Sequence, residues 1–316
     1  MMNKIFKQIK QHYPKINNTP KIVYNNSIPY DFLLSQFSGN YSFSKVNNYI
    51  RNCKKYMIMT YKNIKLHIIY KTNNEINISK LIKTIMRAYT MIKINNNSHN
   101  NFNIYILMSP YKRFLPKTGI IEPEHINGGF TQVNYNNSKN IFISRKEEYS
   151  KVLLHEIIHH FDKINNNDDW GYENIKKLKE YFKISDKTLL NPNEAIVELW
   201  ATIYNILFIS YEYKLPYNML LKKEIINSLK QSYKLILFQK NKEWFEKTNS
   251  YCYIIFKTIL LYNFNKLIKI YTFPYNTNMI TDFLIKYSNL PLKKINIYEP
   301  SYRKTSSLCM MMLSDF

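Results

Sequence analysis

Residues 193–208, NEAIVELWATIYNILF, constrain the fold more than any other stretch of the chain. Read at about 3.6 residues per turn, Ala195, Ile196, Val197, Leu199, Trp200, Ile203 and Leu207 leave this helix apolar on nearly every side. A helix of that kind belongs in an interior, so the remaining chain must wrap around it. Glu194 and Glu198 share one of its faces, a turn apart. Carboxylates are costly to bury alone, and the pair therefore calls for a cation or for hydrogen-bond donors. The competing reading is a wet helix face salt-bridged to lysines. Asn191 and Pro192 provide the helix start.

The second constraint is KVLLHEIIHHFD, residues 151–162, which sets three of the chain's seven histidines beside a glutamate. On a helix, His155 and His159 lie on one face and aim at a common point, while Glu156 projects beside it. Two neutral nitrogen ligands with an adjacent carboxylate, in the spacing HExxH, are what metal-assisted hydrolysis requires. Glu147 and Glu148 fall where a first helical turn is expected, and Val152, Leu153, Ile157 and Phe161 form an apolar stripe. The alternative is an amphipathic helix whose polar face is rich in histidine. A third ligand separates the two, because a catalytic zinc uses three protein ligands, and Glu194 is available for the role. A purely structural metal site has no need of Glu156. His160 points away from any ion that His159 faces and is read as a satisfied packing or surface histidine; His125 is read as a loop residue, and Trp200 as core.

Around these helices the pattern divides. YMIMTYKNIKLHIIYK reads as a hairpin turning near Asn63, and NISKLIKTIMRAYTMIKI as an amphipathic helix capped by Asn77 or Ser79. NIYILMSP and NIFISR read as strands. Between them HINGGFTQV carries Gly128 and Gly129, two of only five glycines, which implies a backbone constraint: a tight turn or close approach of another chain. From about residue 170 the periodicity is almost wholly helical. The resulting expectation is an α+β chain with an N-terminal extension over 1–45, a mixed α/β subdomain over 46–165 ending in the HExxH helix, and a helical subdomain over 166–316. The extension is expected to begin with a short basic helix closed by Pro14 and to be irregular thereafter.

Charge is unevenly placed. Of the formal net charge of +23, residues 1–121 hold +17, residues 122–198 hold −3 and the rest hold +9. A basic N-terminal half can attract polyanions, but its lysines are dispersed, which favours an ordinary solvated surface. Cys53, Cys252 and Cys309 are too few and too scattered for a disulfide framework, the opening residues do not resemble a secretory signal, and the longest apolar stretch, 251–264, is too short to span a bilayer. The expected setting is intracellular.

HEIIH and NEAIVE together resemble the gluzincin metallopeptidases, the thermolysin-like clan, in which a second helix of the NExx(S/A)D type follows HExxH. Residues 121–205 are also similar to uncharacterised HExxH proteins of large DNA viruses, with a GFT-type strand, an R-x-E-E helix start and an E-A-x-x-E-x-W-A helix. The resemblance implies a zincin-like fold, namely a small mixed sheet with a backing helix and an active-site helix, followed by a mostly helical subdomain. It implies a zinc-dependent peptidase in which His155, His159 and Glu194 hold Zn2+ and Glu156 is the general base. Glu198 is implied to orient His155 through its other ring nitrogen, and Asn193 to do the same for His159. Gly128, Gly129, Phe130 and Thr131 are implied to form the edge strand that pairs with an extended peptide or protein substrate. A viral relationship further implies the cytoplasm of an infected cell, or the virion, as location.

The chain departs from the clan in three respects. Glu198 replaces Asp, 34 residues separate His159 from Glu194, and no histidine follows His160. Stabilisation of the oxyanion then falls to a tyrosine or a lysine; Tyr204 lies on the Glu194 helix, with Tyr172, Tyr211 and Tyr213 nearby in sequence. Two other functions compete with the peptidase. One is a catalytically idle zincin fold serving as a binding or virion structural protein. The other is a nucleic-acid-associated protein in which Tyr56, Tyr61 and Tyr70 interleave with lysines.

Overall fold

A computed structural model describes residues 1–15, 19–25, 27–37, 44–95, 100–117, 119–133, 138–161, 170–239, 243–272, 274–291 and 307–315. The expected boundary at residue 165 lies outside them. The fold is mixed α+β, built on one six-stranded sheet in the order β1-β2-β3-β4-β6-β5. Its strands are β1 (Lys21–Asn25), β2 (Lys55–Tyr61), β3 (Ile64–Tyr70), β4 (Asn101–Leu107), β5 (Gly129–Val133) and β6 (Ser138–Ile143). β3, β4 and β6 run parallel, and β5 lies antiparallel at the edge beside β6.

Alternation decides which side chain meets which layer. His67, Tyr105, Phe142 and Phe130 stand in register across four strands, with successive ring centroids 4.4, 5.1 and 4.9 Å apart. This face is roofed by α2 (Tyr30–Phe37), whose Phe37 meets Phe130 and Phe142 edge-on. The other face carries Met57, Leu66, Ile68, Ile104, Ile106, Ile141 and Ile143 into the main core. That core also takes α4 (Ile78–Ile94), α6 (Tyr149–Ile158) and α8 (Asn193–Tyr213). Asn77, not Ser79, caps α4 by accepting from Lys80 N. As its apolar circumference requires, α8 is buried from Ala195 to Ser210.

The described part of the first 45 residues holds more secondary structure than the short basic helix expected there. α1 (Met2–His12) sends Met2, Ile5 and Ile9 into the core, β1 pairs with β2, and α2 covers the sheet. β1 presents mostly exposed side chains, so it carries no alternation to betray a strand. The same core continues into the helical half through Phe256, Leu260, Phe264, Ile280 and Leu284, and thus crosses the expected subdomain boundary.

Arg87 on α4 locks the central helices together. Its guanidinium donates to both Glu212 oxygens, at 2.8 and 2.5 Å, to Asn205 Oδ1 on α8 at 3.0 Å and to Ser150 Oγ on α6 at 3.3 Å. The two motif helices are held in register by this cation before any ligand is considered. No helix among the described residues is long and apolar enough to cross a membrane.

Candidate metal centre

α6 ends at Ile158 with His159 as its C-cap, and the histidines face α8 across a buried seam. His155 Nε2 lies 3.2 Å from His159 Nε2 and 3.3 Å from Glu194 Oε2, and His159 Nε2 lies 3.7 Å from the same oxygen. Tetrahedral coordination with bonds of ~2.0–2.1 Å implies ligand–ligand edges of roughly 3.3–3.4 Å. The three edges are therefore those of one face of such a polyhedron. Glu194 Oε2 is buried and accepts no hydrogen bond, an orphaned atom that a cation would satisfy. His155, His159 and Glu194 are the group that could hold a metal among the described residues.

The surroundings prepare those atoms. Glu198 Oε2 lies 2.9 Å from His155 Nδ1, so the ring donates there and leaves Nε2 with a free lone pair. The other oxygen, Oε1, accepts from the Lys151 ammonium. Burial alone would raise the Glu198 carboxyl, but Lys151 and His155 hold it well below the ordinary carboxylate range. Without a metal, burial disfavours charge on His155, yet the adjoining Glu194 and Glu198 carboxylates raise its pKa to about 9. Carboxylates that hold a proton at this point will hold a cation in its place. The lysine that meets Glu198 stands one helical turn before His155.

Glu156 is 6% exposed and lines a cavity of about 40 Å³ with His155, Gly128, Gly129 and Tyr253. Burial raises its pKa to about 7 against the opposing pull of His155, which suits a group that takes and returns a proton near neutrality. The paired glycines are explained by this helix. A Cβ on Gly129 would sit 2.8 Å from the Phe142 carbonyl oxygen, 3.0 Å from Val152 and 3.3 Å from Glu156 Oε1. One on Gly128 would collide with Arg113 Nη2. Close approach, not a turn, is the constraint, and it brings the edge of the sheet against the glutamate.

The remaining predicted positions are distributed as follows. Gly129, Phe130 and Thr131 lie in β5, Gly128 immediately before it. The Thr131 hydroxyl and His160 Nε2 are 2.6 Å apart, so His160 is a satisfied packing histidine that also holds the edge strand. Asn193 Oδ1 accepts from the Tyr275 hydroxyl at 2.5 Å. Tyr204 is buried between Trp200 and Phe208 and does not line the cavity. Tyr253 stands closer: its ring meets that of His155 edge-on at 5.8 Å, and it lines the cavity beside Glu156. Tyr253 sits in a π-helical turn, Cys252–Phe256, a distortion found frequently at functional sites. Burial, then Glu194 and Glu156, push its phenol far above the ordinary value and keep it a donor. Nothing in the sequence singles it out among 28 tyrosines. Lys151, by contrast, was legible by its spacing from His155.

Tyr56, Tyr61 and Tyr70 are at most 8% exposed, so the basic half has no aromatic platform at these positions for stacking bases. A scan of protein-family models and searches of curated proteins and solved structures find no match to this chain.

Proposed function

We propose that this chain is a zinc-dependent peptidase of zincin-like fold. The observation that carries the reading is the convergence of two imidazole nitrogens and an orphaned carboxylate oxygen at 3.2–3.7 Å, with Glu156 beside them. An all-nitrogen-and-oxygen tripod with one carboxylate suits zinc, which when bound supplies Lewis-acid activation of water and of a carbonyl.

The chain's own residues supply the rest. His155, His159 and Glu194 hold the ion. Glu198 fixes the His155 tautomer. Glu156 takes a proton from the attacking water and returns it to the leaving amine. The Tyr253 phenol donates to the carbonyl oxygen as it gains charge. β5 offers the outer edge of the sheet to an extended substrate backbone, with Gly129 leaving room beside Glu156.

The test is metal analysis and a peptide-library digest of the wild type and of Glu156→Gln. Zinc in both proteins with cleavage only by the wild type is the expected result. Zinc in both with cleavage by neither favours a binding role for the fold, and absence of zinc from both rejects the metal centre.

A further inference from the structure

A second feature is a cavity that shares no lining residue with the one beside Glu156. Arg145 follows β6 directly and is 3% exposed. Its Nη2 donates to the carbonyls of Glu124 at 3.1 Å and Asn127 at 2.7 Å, but its Nε and Nη1 are buried with no hydrogen-bond partner. The nearby carboxylates are already engaged. Glu148 pairs with Arg113 Nη1 at 3.0 Å, and Glu147 accepts from Arg113 N at 2.9 Å. Among the described residues no carboxylate lies within ion-pairing distance of Arg145. Burial, followed by repulsion from Arg113, lowers its pKa to about 9.

A buried guanidinium left in this condition is a charge that wants an anion. Arg145 lines a cavity of about 210 Å³ together with Lys45, Lys112, Ser144 and Glu124. Lys45 Nζ stands 5.3 Å from the centroid of the Phe114 ring, which with Tyr111 forms an apolar wall. Three cations face one carboxylate, Glu124. The volume is many times the ~10–15 Å³ that a single water needs and below the ~300 Å³ at which drug-sized ligand pockets begin. It fits a compact anionic group, not a large organic ligand.

We propose that this cavity is a binding site for a phosphate group, present as the free ion or as a phosphate monoester. Three cations against one carboxylate suit a dianion better than a monocarboxylate. The lysines supply mobile ammonium donors at the mouth, and the Arg145 charge is neutralised from within the cavity, its unmet N–H groups becoming available as the guanidinium turns.

The test is calorimetric titration of the full chain with inorganic phosphate at constant ionic strength. Parallel arms use a phosphoserine peptide and acetate. One saturable site is expected for phosphate, the phosphoserine arm showing whether an ester also enters, and acetate binding at least tenfold more weakly. Lys45→Ala with Lys112→Ala, both at exposed positions, should weaken phosphate at least tenfold, whereas Lys176→Ala with Lys177→Ala on α7 (Tyr172–Phe182) should not. Arg145→Gln should abolish it if the variant folds. Equal losses in the two lysine pairs would reduce the effect to general attraction by a basic protein. Phosphate binding that survives Lys45→Ala with Lys112→Ala but disappears in His159→Ala would place the ion at the metal centre and overturn the proposal.

Discussion

Glu198→Gln separates two duties of one side chain. In the folded protein Oε1 takes the Lys151 ammonium and Oε2 takes His155 Nδ1–H. Glutamine has the same shape but only one acceptor oxygen, its other terminus being a donor. One of the two partners must lose its acceptor. If it is Lys151, which is 3% exposed, a buried ammonium is stranded at a cost of ~3–5 kcal/mol. If it is His155, the imidazole loses its orienting partner, and zinc affinity falls ~10–100-fold, or about 1.4–2.8 kcal/mol. Urea unfolding of the metal-free protein reads the first loss, and competition for zinc with a chromophoric chelator reads the second. Two double variants divide the effects. Lys151→Met with Glu198→Gln frees the amide oxygen to face His155 and should restore both stability and zinc affinity. Lys151→Met with Glu198→Leu should restore stability alone. A Glu198→Gln protein with wild-type stability and wild-type zinc affinity would refute the reasoning.

Three further outcomes are expected. Gly129→Ala forces a methyl onto the Phe142 carbonyl and Val152, and should cost about 1–3 kcal/mol in urea unfolding while impairing peptide cleavage more than zinc binding. Tyr253→Phe should lower kcat for peptide cleavage by on the order of a hundredfold, with zinc affinity unchanged in the chelator assay; equal kcat would remove the phenol from the chemistry. Glu246 accepts hydrogen bonds from Ser250 N and Tyr251 N, and burial raises its pKa from 4.5 to about 7. The native state thus keeps a proton that the unfolded chain gives up near 4.5, so this contribution is present at low pH and is lost as pH rises towards 7. Urea midpoints should fall between about pH 5 and pH 8, the total effect being on the order of 3 kcal/mol, and Glu246→Gln should flatten that dependence.

Periodicity and spacing carried much of this protein. The interior position of α8, the β2–β3 hairpin, the cap of α4 and the pairing of His155 with His159 follow from local pattern, because each depends on residues within a turn or a strand of one another. The constraint on Gly128 and Gly129 was legible too, but not its cause, which is the approach of Val152, Arg113 and Glu156 from elements distant in the chain. α1 was expected as a short basic helix closed by Pro14 and forms as Met2–His12, whereas β1 and α2 were missed, since their placement comes from contacts with the sheet and not from their own alternation.

At the candidate centre the sequence by itself determined which residue types stand at HExxH and NExxxE, and that the second helix must be buried. Only the tertiary structure decided that Glu194 Oε2 comes within 3.3 and 3.7 Å of the histidine nitrogens. It also decided that Glu198 is shared between His155 and Lys151, and that Tyr253, and not Tyr204, stands over the site. The reason is physical: spacing along one helix determines which side chains share a face, but the meeting of faces depends on packing and on the burial that shifts each group's charge. Tyr204 lies ten residues from Glu194 on the same helix and turns into the core, whereas Tyr253 is brought back from a distant π-helical turn by the folding of the helical half around α8.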